Sequence, residues 1–342
     1  MKTLLQGRKL PELKSREEML DILQSQVYGY LPEKPAQMQF EVVQKNAIGN
    51  FCAGTARCTQ LRAICTLTDG KVFSFPFQAS FPTDGEKHPF FILISFLGEN
   101  PNKYLPAEEL IDAGFAVLHF DYRDVAADNR NFSTGLPGVI FDGRERQGSD
   151  PGKIAMWAWA AHRVMDYAQT RGDVLDLSRG CVCGHSRLGK TALLAAATDT
   201  RFAYAYSNDS GCCGAAISRG KAGETTKKIW ETFPYWFCPN FAGWAGREQE
   251  MPFDQHYLLA CIAPRKVLVG SASEDLWADP VAEQLCVMAA APAFGTTLDF
   301  EKPAEIGEAF LSQNPGYHLR KGAHYFSRHD WHRLMEFIQL HS

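Results

Sequence analysis

A chain of 342 residues, 45% hydrophobic and 22% charged, is long enough to bury a large core and has the composition of an ordinary globular protein. Its formal net charge of −4 is mixed along the sequence, which leaves no basic surface for nucleic acid and no acidic tail. The partner this implies is a small molecule or a polymer segment. No apolar run reaches a membrane span, and charges at Lys2, Arg8 and Lys9 interrupt the N-terminus before a signal-peptide core forms. As written the chain is expected to be cytoplasmic, or extracellular if a leader has been removed. The ten cysteines lack the C-x-x-C spacing of zinc and redox sites and read as small buried residues in a reducing compartment.

Residues 10–30 set Leu13, Met19, Leu20, Ile22 and Leu23 among charges and stop at Gly29 and Pro32, which predicts an N-terminal helix. Residues 39–43, 61–67 and 72–77 read as strands opening a mixed sheet in antiparallel fashion. From residue 89 buried apolar strands alternate with helices, the pattern of a parallel sheet covered on both faces. Strands fall at 90–96 and 115–121, with a helix at 107–113 between them and a long loop at 123–151 after them. A helix at 153–168 lines up Ile154, Trp157, Ala158, Ala161, Val164, Met165 and Ala168, and Trp157 and Trp159 read as packing. Another strand at 202–206 precedes a cap-like insertion at about 208–254, rich in glycine and carrying Trp230, Phe233, Tyr235, Trp236, Phe237, Phe241 and Trp244. A strand at 266–272, a helix after Pro280, a short strand at 317–319 and a closing helix through Trp331, Leu334, Met335 and Ile338 complete the order. Asp279 and Glu283 read as surface charges. The whole chain, 1–342, is expected to form a single α/β domain with a mostly parallel central sheet between two helix layers.

The organising stretch is Cys181-Val182-Cys183-Gly184-His185-Ser186-Arg187-Leu188-Gly189-Lys190-Thr191, followed by the Ala-rich run 192–197. It reads as strand, sharp turn and helix, and two chemistries fit it. Ser186 can be a nucleophile on a tight elbow, with Gly184 and Gly189 allowing close backbone approach. Alternatively, Gly184 to Thr191 satisfies the phosphate-binding pattern G-x-x-x-x-G-K-[ST], with Lys190 for phosphate and Thr191 for magnesium. The order of the remaining polar landmarks favours the hydrolase: in an α/β-hydrolase fold the serine is followed by an acid after a late strand and a histidine before the last helix. Asp275 and His324 occupy those places. His318, on a strand, and His329 and His332, on a helix, are poorer placed. A phosphate loop belongs near the start of its domain, and here about seven strands precede or adjoin it.

The second glycine of the elbow stands one place later than in G-x-S-x-G. With that spacing the stretch resembles the glucuronoyl esterases, carbohydrate esterase family fifteen, of bacterial type, whose elbow reads G-C/H-S-R-x-G-K. The resemblance runs from about Tyr28 to the C-terminus and includes Asn208-Asp209-Ser210-Gly211 with Gly214-Ala215-Ala216, Leu258-Leu259-Ala260 with Ala263-Pro264-Arg265, and Glu274-Asp275-Leu276-Trp277-Ala278-Asp279-Pro280. It implies an α/β-hydrolase, needing no metal or organic cofactor, that cleaves esters between glucuronic acid groups on xylan and lignin alcohols. Its substrate would be a glucuronic acid ester or glucuronoxylan fragment. The resemblance also implies a second place for the triad acid, Asp209, beside the ordinary one at Asp275. Arg187 would serve the oxyanion, and Lys190, Glu224 and Trp277 would hold the sugar ring. An acetyl-xylan-like esterase, a nucleotide enzyme using Gly184 to Thr191, and a catalytically silent carbohydrate-binding protein are the alternatives.

Overall fold

A computed structural model describes residues 1–342. The sheet opens with three antiparallel strands, β1 (Gln37–Gln44), β2 (Ala56–Thr66) and β3 (Val72–Pro82). Register sets Leu61 opposite Phe77, Ala63 opposite Phe75 and Cys65 opposite Phe73, so one face of this ribbon is apolar and packs inward. The chain then builds β4 (His88–Ser95), β5 (Ala116–Asp121), β6 (Leu175–His185), β7 (Tyr204–Asn208), β8 (Lys266–Ala272), β9 (Ala309–Phe310) and β10 (Gly316–Arg320). The ten strands lie in the order β1-β2-β3-β5-β4-β6-β7-β8-β10-β9. From β5 to β10 all pairings are parallel, and the two-residue β9 closes the edge antiparallel.

Alternation along the parallel strands divides the core in two. Phe90, Ile92 and Ile94 of β4 enter one cluster while Phe91 and Leu93 enter another, and β5, β6, β7 and β8 split likewise. Helices Lys153–Gln169 and Arg187–Thr198 cover the first cluster; Ala107–Asp112 and Arg328–Leu340 cover the second. Helix, sheet and helix therefore form three layers, as the sequence pattern implies. Trp157 and Trp159 are buried and donate their indole N–H groups to the carbonyls of Ala126 and Glu33, both at 2.9 Å.

Three local expectations need correction. The N-terminal helix covers Arg16–Leu23 and continues as a π turn, Gln24–Tyr28, rather than starting at residue 10. Ser15 and Glu18 form a reciprocal capping box that fixes its start, and an additional helix, Lys2–Gly7, precedes it. The long loop contains two short helices, Tyr122–Val125 and Gly135–Phe141; the glycines and Pro137 hide the second in the sequence, although Leu136 and Phe141 are buried. The aromatic insertion folds into the helix Thr226–Thr232 and two 3₁₀ turns, Pro234–Trp236 and Pro239–Gly243.

The elbow lies at the end of β6. Ser186 has φ 59° and ψ −127°, a conformation that costs a residue bearing a Cβ about 1–3 kcal/mol. A Cβ on Gly184 would lie 2.2 Å from the carbonyl oxygen of Leu188. The displaced second glycine also has a physical reason. Leu188 is buried in the core, whereas it is Gly189 that crosses the end of β7, where a Cβ would come within 3.0 Å of Ser207 Oγ and Ser210 Cβ. Gly184→Ala is therefore expected to destabilise the fold by about 3 kcal/mol through overpacking against rigid backbone, measured as a lower urea midpoint at unchanged slope; wild-type stability would show that the elbow can relax.

Candidate active site

In a parallel sheet the loops at the carboxyl ends of the strands collect the functional groups. Here Ser186 follows β6, Asp209 follows β7, Asp275 follows β8 and His324 follows β10. All four border one cavity of about 360 Å³ together with Arg187, Lys190, Glu224 and Trp277. The structure thus brings together every site residue that the sequence singled out. Phe233 and Trp236 of the aromatic insertion form the opposite wall, stacked with ring centroids 3.9 Å apart. A larger hollow of about 640 Å³ lies beside the helix Lys2–Gly7, among Leu5, Leu10, Leu13 and Met288, but it lacks a nucleophile beside a base.

His324 is half exposed, and its Nδ1 lies 2.6 Å from Asp275 Oδ2. Burial raises the Asp275 carboxyl, but the hydrogen bond and charge of His324 outweigh that and leave it below the ordinary value. Ser186 Oγ and His324 share the cavity wall without a direct hydrogen bond, a looseness common in unliganded sites. His185, next to the serine, packs its ring 4.4 Å from that of His324 and bonds Asn208 Oδ1 through Nδ1 at 2.7 Å. Burial, aided by His324, lowers its pKa to about 3, so it is a neutral support. His318 is buried on β10 against Tyr206, while His329 and His332 lie on the closing helix, and none of the three borders the cavity.

Asp209 differs from Asp275. It is 1% exposed, and one carboxylate oxygen accepts from Arg320 Nη2 at 3.2 Å and from the Tyr325 N–H at 3.3 Å. The other oxygen is buried without a partner. Burial and the neighbouring Glu283 hold the carboxyl well above its usual range, against the pull of Arg320. The donor atoms of Asp209, Asp275 and His324 lie within 4.8 Å of one another, close enough for a cation to bridge, although His324 Nδ1 is already bonded to Asp275.

Lys190 is nearly buried, and its ammonium donates to the Ser210 carbonyl; the Thr191 hydroxyl donates to the Arg187 carbonyl at 2.9 Å. Both groups that a phosphate loop would present to a nucleotide are thus engaged inside the fold. Two of the sugar-clamp candidates, Glu224 and Trp277, come from loops tied together. The Glu224 N–H donates to the Trp277 carbonyl at 3.0 Å, Lys221 Nζ reaches the same oxygen at 2.9 Å, and Lys228 Nζ lies 4.8 Å above the indole. Trp277 remains 53% exposed, an open apolar face.

Asp279 and Glu283 are not surface charges. Asp279 caps the helix Pro280–Ala290 and accepts from the Ala222 N–H at 2.7 Å, fastening the Glu224 loop. Glu283 is fully buried and accepts from Ser271 Oγ at 2.5 Å and from the Gly211 N–H at 2.9 Å, which holds the turn after Asp209. The apolar neighbours Ala282, Leu285, Cys286 and Val287 were the legible signal of its burial. Asp128, whose carboxylate holds Arg187, had no such signal, because it sits in a loop of similar polar residues.

A mostly parallel sheet between helix layers, with a serine on a strained strand-to-helix elbow at its carboxyl edge, defines an α/β-hydrolase fold. A family profile described as "Glucuronyl esterase, fungi" matches residues 64–297. "Carbohydrate esterase MZ0003", from an unknown prokaryotic organism, is 41% identical over 240 residues, covering 68% of this chain and 55% of that protein. The "4-O-methyl-glucuronoyl methylesterase 1" of Phanerochaete chrysosporium is 26% identical over 304 residues, covering 85% and 60%. Among solved structures, a promiscuous CE15 esterase from a marine bacterial metagenome superposes with TM-score 0.84 at 30% identity, over 96% of this chain and 91% of that one. A glucuronoyl esterase from Solibacter usitatus gives 0.84 at 29%, over 96% and 92%. The chain belongs to the glucuronyl esterase family. It spans little more than half the length of the curated relatives it matches.

Burial raises the Glu283 carboxyl from its ordinary 4.5 to about 7. The folded chain therefore keeps a proton there that the unfolded chain releases, and the associated stability is full below pH 4.5 and lost as pH rises through 7. Relative to Glu283→Gln, the wild type should lose about 3 kcal/mol of unfolding free energy between pH 4.5 and pH 8. Urea titrations at the two pH values measure this, and a constant difference would show that the carboxyl ionises freely in the fold.

Proposed function

We propose that this protein is a serine-type carboxylic ester hydrolase acting on esters of glucuronic acid or its 4-O-methyl derivative, as in linkages between glucuronoxylan and lignin alcohols. The observation that carries the reading is the convergence on one cavity of a serine at an elbow, an imidazole bonded through Nδ1 to a buried carboxylate, and a guanidinium beside the serine. The family relationship and the names of the relatives support the substrate class.

The serine hydroxyl is a weak nucleophile until a base takes its proton. With Nδ1 held by Asp275, the free Nε2 of His324 accepts that proton as Ser186 Oγ attacks the ester carbonyl. The carbonyl oxygen becomes an oxyanion facing Arg187, whose main-chain N–H, first in its helix, has no intrahelical partner and whose guanidinium adds charge. His324 returns the proton to the departing alcohol, leaving an acyl group on Ser186. Water attacks this acyl-enzyme with His324 again as base; the acyl–Oγ bond breaks, His324 passes the proton to Ser186 Oγ, and the uronic acid is released. Asp275 is the orienting acid, since it is bonded to the histidine and kept ionised. Asp209 supports the same histidine indirectly. It anchors the Tyr325 N–H and Arg320, and Arg320 in turn donates to the carbonyl of Ala323 at 3.1 Å.

The sugar ring would stack on the open face of Trp277, with Glu224 and Lys190 toward its hydroxyls. Ser186→Ala is expected to lower turnover of methyl glucuronate ester at least about 10,000-fold with the fold intact, checked by initial rates and circular dichroism; retained activity would refute the scheme. In the same assay, Glu224→Ala should raise KM for the glucuronate ester and leave hydrolysis of a plain acetyl ester unchanged. Equal losses on both esters, or a wild type that prefers acetylated sugar, would favour an acetyl esterase instead.

A further inference from the structure

Asp128 stands behind the cavity wall, in the loop that follows β5, and its carboxylate gathers donors from three separate segments. One oxygen accepts from Arg187 Nη1 and from the Tyr122 hydroxyl at 2.9 Å; the other accepts from the Trp236 indole N–H at 2.7 Å. Its main-chain carbonyl accepts from the Tyr235 hydroxyl at 3.3 Å. The Arg187 guanidinium lies 4.8 Å from the Trp236 ring, 5.5 Å from Phe96 and 5.7 Å from Phe233. Its Nε is buried without a hydrogen-bond partner, and the residue borders the cavity. One carboxylate thus holds in register both the cation beside the nucleophile and the aromatic wall opposite the sugar clamp.

The charge matters as much as the geometry. An ester enters neutral at its carbonyl, passes through an oxyanion and leaves as a carboxylate, so a bare guanidinium would retain the product by the same attraction that helps the transition state. A second charge bonded to the far side of that guanidinium weakens its pull on an anion that is merely nearby. The short hydrogen bond to an oxyanion on Ser186 is preserved. We propose that Asp128 is a positioning residue that aims the Arg187 guanidinium and, by offsetting its charge, lets the uronic acid product leave. This rests on the reading of Ser186 and Arg187 given under Proposed function.

The experiment first compares wild type and Ser186→Ala on methyl glucuronate ester. Failure of wild type to turn over, or equal activity of the two, would defeat that underlying reading whatever Asp128 does. Asp128→Asn is then assayed on the same ester, and its binding of free glucuronate is measured by titration calorimetry. The proposal expects kcat/KM to fall about 100-fold, as for a catalytic donor displaced by an ångström. It expects glucuronate to bind about fivefold more tightly, the scale of one partly exposed ion pair, and this tightening to vanish in an Arg187→Met background. A merely structural role would weaken binding along with rate. Unchanged kcat/KM would overturn the positioning role, and unchanged or weaker glucuronate binding would overturn the charge role. Should the Asn variant not fold, Asp128→Glu carries the test. It keeps the charge but shifts the fork, so about tenfold lower kcat/KM at wild-type glucuronate affinity is expected; wild-type kcat/KM or tightened binding would contradict the proposal.

Discussion

The backbone of Ser186 is the constraint on which the site depends. At φ 59° and ψ −127° it turns β6 into a helix within one residue, and only a fold that fixes both neighbours can hold a serine there. The strand and the helix are buried, and the Ser186 N–H is bonded to the Asn208 carbonyl at 2.9 Å. The same linkage continues outward along the strand ends. The Asp209 N–H bonds the Gly270 carbonyl at 2.8 Å, the Ser273 N–H bonds the Arg320 carbonyl at 2.9 Å, and the Glu274 N–H bonds the Gly322 carbonyl at 2.9 Å. Each functional loop is therefore tied to the next strand, and the imidazole contributed from near the C-terminus is placed by backbone contacts that begin at the elbow.

Charge around the elbow is arranged by environment rather than by number. Asp275 is kept ionised by His324, the Glu283 carboxyl is raised to about 7 by burial, and Asp209 is caught between burial and Arg320. Arg320 also binds Asp330 at 2.7 Å on the closing helix, so the loop carrying His324 is fastened to the sheet on one side and to the helix layer on the other. On the far side of the serine the sign reverses, with Arg187 as the cation and Asp128 as its counter-charge. The cavity thus has a histidine and carboxylate end and a guanidinium end, and Trp277 and Trp236 also line it.

The layers, and the gathering of Ser186, Asp275 and His324 at one cavity, were legible because period-two alternation, Gly184, Ser186 and the late Asp275 and His324 are local signals with a fixed chain order. Less was legible where two distant segments meet. Glu283 looked like a surface acid on a helix until Ser271 and Gly211 were placed against it. Asp128 carries no distinguishing spacing, because its meaning comes from Tyr122, Arg187 and Trp236 converging on it in space. The choice between Asp209 and Asp275 could not be read from spacing either, since both follow sheet strands; a hydrogen bond to one ring nitrogen separates them. The start of the helix Arg16–Leu23 has a simpler reason: the Ser15 to Glu18 capping box, present in the sequence, outweighs the apolar periodicity before it.

The central claim, that the elbow serine is made nucleophilic by the histidine, is tested most directly by covalent labelling with an alkyl fluorophosphonate followed by peptide mass spectrometry. The account predicts a single adduct on Ser186, formed far more slowly in His324→Ala and absent in Ser186→Ala. An adduct on another residue, such as the neighbouring Ser210, or labelling of Ser186 at the same rate without His324, would contradict it.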